Sequence, residues 1–197
     1  MLIEKEIDQK TSKTSPGLLY VVATPIGNLE DITFRAARIL GEVDVIAAED
    51  TRRTRILLRH LSIVPRQLIS LHEHNEARQV AKLVRRITNG ESIALVSDAG
   101  TPLISDPGYR LVRAASAQSI KVVSVPGPSS VTAALSVSGL ATDRFVFEGF
   151  LPQRASARCE RLKQLVYESR TLIFFESPRR IKDVIQDMEK ICSGDRQ

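Results

Sequence analysis

Short apolar runs alternate with amphipathic stretches along the first two thirds of the chain. The runs are LLYVVA (18–23), VDVIAA (43–48), QLISL (67–71), SIALV (92–96) and IKVVSV (120–125). Continuous bulky runs of this length predict strands buried on both faces. Between them lie helix patterns. Asp31 is the expected cap of ITFRAARIL, and TRRTRILLRHL (51–61) forms the second helix. Asn75 is the expected cap of EARQVAKLVRRIT, with Ala77, Val80, Ala81, Val84 and Ile87 as its apolar stripe and Asn89-Gly90 as its stop. YRLVRAASAQ forms a fourth helix. Strands alternating with helices predict an α/β fold with a mostly parallel sheet and helices on both faces. In such sheets ligands gather outside the carboxyl ends of the strands.

The pattern changes after PGPSSVTAALSVSGLATD. FVFEGF and TLIFFE predict two strands, and ASARCERLKQLVYE and RRIKDVIQDMEKI two helices. Two strands are few for an independent unit. The expected organisation is a flexible lead-in over 1–16, an N-terminal α/β domain over 17–142 and an apparently truncated second α/β domain over 143–197.

Composition narrows the class. The chain has 197 residues, 43% of them apolar and 26% charged, which suits a globular protein with its own core. Twenty-eight basic against 23 acidic side chains give +5, which permits an anionic partner. Cys159 and Cys192 are far apart and in no ligand spacing, so the expectation is two thiols in a reducing compartment and no metal site. No apolar run reaches the ~18 residues of a membrane span. The polar start lacks a signal core, so the expected location is cytoplasmic.

Candidate chemistry lies in the loops that follow the strands. TPIGNLEDIT (24–33) brings Pro25, Gly27 and Asn28 to the end of the first strand, without the glycine fingerprint of a nucleotide loop. AAEDTRRT (47–54) places Glu49 and Asp50 beside a helix start, as caps or as general bases. LHEHNE (71–76) places His72 and His74 at a third strand end, in a spacing that does not suit zinc. VSDAGTPLISDPG (96–108) carries two aspartates, two prolines and two glycines. Asp98 lies where ligands gather, whereas Asp106 is expected to shape the turn and cap the next helix. PGPSS (126–130) offers Ser129 or Ser130 as a helix cap and lacks the serine-hydrolase elbow. Each loop by itself could be a plain turn. Together they form the rim of one sheet edge.

In this order, LYVVATPIGNLEDIT, AAEDTRRT, LHEHNE, ALVSDAGTPLISDPGYRLV, VPGPSS and FEGFLP resemble the tetrapyrrole-methylase-like superfamily. The closer resemblance is to its ribosomal RNA branch, the small-subunit rRNA cytidine 2′-O-ribose methyltransferases, over about residues 17–191. The resemblance implies S-adenosylmethionine as methyl donor, folded in a cleft between two α/β domains, and a homodimer. By that resemblance Pro25, Gly27, Asn28, Ser97, Asp98, Ala99, Gly100, Thr101, Ile104, Ser105, Ser129, Ser130, Phe150 and Leu151 border the donor. Members of the family continue past residue 197 with strands that complete the second domain.

Transfer to a ribose hydroxyl calls for a base, with Glu49, Asp50, His72 and His74 as candidates. RNA calls for cations. Arg52, Arg55 and Arg59 share one helix face, and Arg154, Arg158 and Arg161 another; Arg179, Arg180 and Lys182 form a third cluster. The absence of tryptophan argues against a reader based on stacking and for binding through phosphate and rRNA shape. The competing readings are a methylase of a small tetrapyrrole, a non-catalytic RNA- or ribosome-binding domain, and a sugar-phosphate or nucleotide enzyme.

Overall fold

The computed structural model describes residues 17–192. The expected lead-in over 1–16 lies outside the described residues. Five strands form the larger sheet: β1 (Leu19–Val22), β2 (Val45–Ala48), β3 (Leu68–Ser70), β4 (Ile93–Val96) and β5 (Val122–Val125). Their order is β3-β2-β4-β1-β5 and every pairing is parallel. Helices α1 (Phe34–Glu42), α2 (Thr51–His60), α3 (Glu73–Thr88) and α4 (Tyr109–Ala117) make the connections, and α5 (Ser130–Val137) follows β5.

The faces follow from handedness. A parallel crossover is right-handed, so the direction in which the chain moves along the sheet decides which face its helix covers. The steps β1 to β2 and β2 to β3 run one way; β3 to β4 and β4 to β5 run the other. Accordingly α1 and α2 pack on one face, where Ile39, Leu40, Leu57 and Leu58 meet Val22, Ile46, Ala48 and Val96. The opposite face carries α3 and α4, where Leu83, Val84, Ile87 and Leu111 meet Leu19, Val45, Ala47 and Leu95. The neighbours β1 and β4 thus send their chains in opposite directions, and a crevice opens at their carboxyl ends.

Three expected caps are replaced. Asn28 caps a short 3-10 turn at Leu29–Asp31, so α1 starts later and Thr33 Oγ1 accepts from Ala36 N at 3.0 Å in place of Asp31. His72, not Asn75, stands at the cap position of α3; Asn75 accepts from His72 N at 2.9 Å and donates to the Ser70 carbonyl at 3.1 Å. Asp106 does not cap α4. Gly108 holds that position at φ 123, and Glu76 of α3 accepts from Arg110 N at 2.9 Å and Leu111 N at 3.3 Å.

The apolar stripe of α3 is also rotated. Ala77 and Ala81 are exposed, whereas Glu76 and Leu83 join Val84 and Ile87 inside. Burying a leucine gains about 1.5–3 kcal/mol, more than an alanine can offer, so Leu83 sets the rotation. Burial of Glu76 is tolerated because its carboxylate satisfies the free N–H groups of α4.

The second sheet pairs β6 (Phe145–Phe150) with β7 (Thr171–Phe175) in parallel, with a bulge between Phe147 and Gly149. Its helices are α6 (Ala155–Leu165) and α7 (Ile181–Cys192). Leu151, Leu162 and Val184 form its core, flanked by Phe174, Met188 and Ile191.

Candidate functional site

The loop after β1 and the loop after β4 are locked by two backbone hydrogen bonds between Thr24 and Gly100, each 2.9 Å. Thr24 Oγ1 adds a bond to the Ser97 carbonyl at 3.2 Å, with both residues buried. Gly100 sits at φ 82, a conformation that favours glycine. The loop after β5 joins through Thr101 Oγ1, which donates to the Pro128 carbonyl at 3.3 Å. Ser129 stands at the cap position of α5. Across the crevice, a Cβ at Gly149 of β6 would stand 3.1 Å from Ser105 Oγ, so the second sheet touches the same loop.

The loop after β2 completes the cluster. Asp98 N donates to Glu49 Oε2 at 3.1 Å, and Asp50 N donates to Asp98 Oδ1 at 3.0 Å. Burial pushes the Glu49 carboxyl above its ordinary value; the bond from Asp98 N opposes this, and the Asp98 charge reinforces it. Burial also pushes Asp106 up to about 6, against a bond from Ser97 and with help from the charges of Glu49 and Asp98. Asp50 differs. Its bonds to the Arg52 side chain and backbone hold it down at about 2, and it caps α2.

Two of the four base candidates, Glu49 and Asp50, therefore lie at the crevice, but Asp50 is committed to its cap and to Arg52. His72 and His74 follow the outermost strand, β3, and their rings meet edge to face at 5.9 Å. Among the described residues, no hydrogen bond or ion pair joins either histidine to Glu49, Asp98 or Asp106. Sequence reasoning treats Asp106 as a turn former; the tertiary burial that shifts it leaves no local sequence signal.

The expected donor-binding residues divide. Pro25, Ser97 and Gly100 are buried where the loops meet; Asp98, Thr101 and Ser129 are half-buried; Gly27, Asn28, Ala99, Ile104, Ser105, Ser130 and Phe150 are exposed around them. Leu151 is buried away from the loops. Its side chain is only 3% exposed, packed in the second core, and its carbonyl accepts from Arg180.

The arginine stripes divide too. Arg55 and Arg59 are exposed and make no ion pair among the described residues, and Arg154 and Arg179 are also exposed. Arg52 is exposed but bound to Asp50 at 2.6 Å. Arg158 is a correction: it is buried and grips Asp187 at 2.6 Å, leaving no cation for a phosphate. Arg161 pairs with Glu148 at 2.6 Å. Arg180 pairs with Glu176 at 3.2 Å and donates to the Leu151 and Pro152 carbonyls, both at 3.1 Å. Arg158 and Arg161, two of the three arginines that suggested a basic face, lie on the side of α6 that reaches α7 and β6.

Residues 18–197 match the family described as tetrapyrrole (corrin/porphyrin) methylases. The chain belongs to this family. Among curated relatives it is 53% identical over 180 residues to the ribosomal RNA small subunit methyltransferase I of Pasteurella multocida, covering 91% of this chain and 64% of that protein. The protein of the same name from Xylella fastidiosa is 56% identical over 178 residues, covering 90% and 65%. The chain thus spans less than two thirds of the length of these relatives. Among solved structures of the methylase fold, the methyltransferase CobJ aligns with a TM-score of 0.65 at 18% identity, over 90% of this chain and 77% of that one. The uroporphyrin-III C-methyltransferase of Thermus thermophilus, complexed with S-adenosylhomocysteine, aligns with a TM-score of 0.59 at 19% identity, over 92% and 78%. These likenesses establish a shared fold. Among the described residues, no helix is long and apolar enough to cross a membrane.

Proposed function

We propose that this methylase-family chain binds S-adenosylmethionine in the crevice between β1 and β4 and methylates the ribose 2′-hydroxyl of a cytidine in small-subunit ribosomal RNA. On this reading residues 17–142 and 143–197 are two domains facing one cleft, and the cytoplasmic protein works as a homodimer on rRNA or on the small subunit. The acceptor class follows the name borne by relatives that are half identical to the chain. The observation that carries the chemistry is the position of Glu49, a carboxyl pushed up by burial beside the Thr24–Gly100 lock.

The residues fit a cationic donor. Residues 97–109 contain no lysine or arginine, while Glu49, Asp98 and Asp106 converge on this loop. Backbone is presented at Ala99 and Gly100, where little side chain intervenes. Ser97, Gly100, Thr101 and Ser129 would hold the donor, with Ser105 and Phe150 at the outer edge. When bound, S-adenosylmethionine supplies the methyl group on an electrophilic sulfonium carbon.

The protein's own part is to orient and deprotonate. Glu49 Oε2 is engaged by Asp98 N, which leaves Oε1 for an incoming hydroxyl. A carboxylate with a raised proton affinity is a better base for that hydroxyl than one held at about 2, which favours Glu49 over Asp50. Fixing donor and hydroxyl between two domains accounts for further acceleration through proximity.

The test is methyl transfer from labelled S-adenosylmethionine to small ribosomal subunits and to naked rRNA, with the product nucleotide mapped. Label on a cytidine 2′-oxygen is expected. Binding of the donor without transfer to either RNA would overturn the proposal, as would transfer to a tetrapyrrole alone.

A further inference from the structure

A cavity opens beside the first turn of α2, lined by Thr24, Pro25, Leu29, Arg53, Ile56 and Asp98, with Thr54, Leu57 and Ser97 behind them. It adjoins the Thr24–Gly100 lock and is walled by α2, and its lining includes neither Ser105 nor any residue of the second sheet. One wall is apolar. Ile56 is 58% exposed although it lines the cavity, so a large apolar side chain is left without a protein partner. The other wall is an ion pair. Arg53 Nε lies 3.4 Å from Asp98 Oδ2, and the arginine side chain is two-thirds exposed. Among the described residues its two terminal nitrogens make no hydrogen bond. Outside the mouth, Arg55 and Arg59 give α2 a cationic surface.

An apolar wall, a carboxylate and an outward-facing guanidinium in one cavity match the three parts of a ribonucleotide. Taking RNA as the acceptor, as proposed above, we propose that this cavity seats one ribonucleotide unit of the acceptor strand. The base lies against Pro25, Leu29 and Ile56. A ribose hydroxyl donates to Asp98, whose oxygens retain free lone pairs. The adjoining phosphate meets the Arg53 terminal nitrogens in a charge-assisted contact. Asp98 thereby links this seat to the donor loop, since it directly precedes Ala99 and Gly100 and bonds to Glu49 through its N–H.

The experiment is a titration of the full chain, labelled at isoleucine and leucine methyl groups, with cytidine 5′-monophosphate. The expected result is a shift of the Ile56, Leu29 and Leu57 methyl signals. Deoxycytidine 5′-monophosphate should bind more weakly, and Arg53→Ala should weaken the ribonucleotide by about tenfold, the scale of one charge-assisted hydrogen bond. Ile56→Glu, at an exposed position that does not threaten the fold, should abolish the shifts and raise the KM for RNA while calorimetric S-adenosylmethionine affinity stays unchanged. Unmoved methyl signals at millimolar nucleotide, or an unchanged KM for RNA in Ile56→Glu, overturns the seat. A filled seat with no methyl transfer to RNA by the native chain counts against the RNA-methylase reading and leaves the seat standing.

Discussion

Glu49 Oε2 accepts the backbone N–H of Asp98 at 3.1 Å, while Asp50 N donates to Asp98 Oδ1 at 3.0 Å. Two loops distant in sequence are thereby fastened across the carboxyl ends of β2 and β4. The arrangement fixes a half-buried carboxylate at the mouth of the crevice, and burial there raises its proton affinity above its ordinary value, against the opposing bond from Asp98 N.

If Glu49 takes the proton from the acceptor hydroxyl, Glu49→Gln should lower kcat by roughly 10²–10⁴, the usual contribution of a positioned base. Glutamine still accepts from Asp98 N, so calorimetric S-adenosylmethionine affinity should hold. Full turnover at saturating RNA would remove Glu49 from the role.

Asp106 carries a pH dependence. Its folded value of about 6 lies above the ordinary 3.8, so the native state binds the proton more tightly than the unfolded state. Stability should therefore fall as pH rises from about 4 to 6 and level off above, by of order 1 kcal/mol after allowance for solvent screening. Asp106→Asn keeps an acceptor for Ser97 and lacks that fall. Urea unfolding at pH 4.5 and 7.5 should give the variant a relative gain at the higher pH. An equal difference at both values would refute the assignment.

Gly100 tests the donor loop. At φ 82, with a Cβ position 3.4 Å from Ile26 Cγ2, a β-branched side chain is both strained and crowded. Gly100→Val should cost about 1–3 kcal/mol in stability and abolish S-adenosylmethionine binding. Unchanged affinity by calorimetry would reduce this loop to a plain turn.

Arg158 and the arginines of α2 should separate cleanly. Removing one partner of a buried ion pair typically costs about 3–5 kcal/mol, so Arg158→Met should destabilise the protein strongly in chemical unfolding. The paired change Arg158→Met with Asp187→Leu should recover most of the loss. By contrast, Arg55→Glu with Arg59→Glu should leave the unfolding midpoint nearly unchanged. It should weaken rRNA binding and flatten its salt slope by about 0.7–0.9 for each phosphate no longer neutralised. An unaltered slope would make the α2 stripe an ordinary solvated face.

Capping across helices gives a last prediction. Glu76 of α3 holds the first N–H groups of α4 through Arg110 and Leu111. Glu76→Ala leaves those donors buried without a partner and should cost about 1–3 kcal/mol. A loss confined to tenths of a kcal/mol would mean that water takes over the cap.

The sequence by itself determined the alternation of strands and helices, the parallel sheet, and the loops that carry chemistry. These are period and turn signals, written locally in runs such as SIALV and in SDAGTPLISDPG, and they survive any tertiary context. It also determined the family, because the loop motifs that carried the resemblance occur in one order along the chain. Only the tertiary structure decided which polar groups are spent on the fold. Arg158 and Arg161 read as a cationic surface until carboxylates on other elements claim them, Arg180 until it meets the Leu151 and Pro152 carbonyls, and Glu76 reads as solvated until α4 presents its free N–H groups. The same holds for the site. Glu49 and Asp106 differ from ordinary carboxylates only because folding withdraws them from water, and Arg53 meets Asp98 only because β4 lies next to β2. Burial and long-range pairing set charge and proton affinity, and neither has a period that a single chain segment can display.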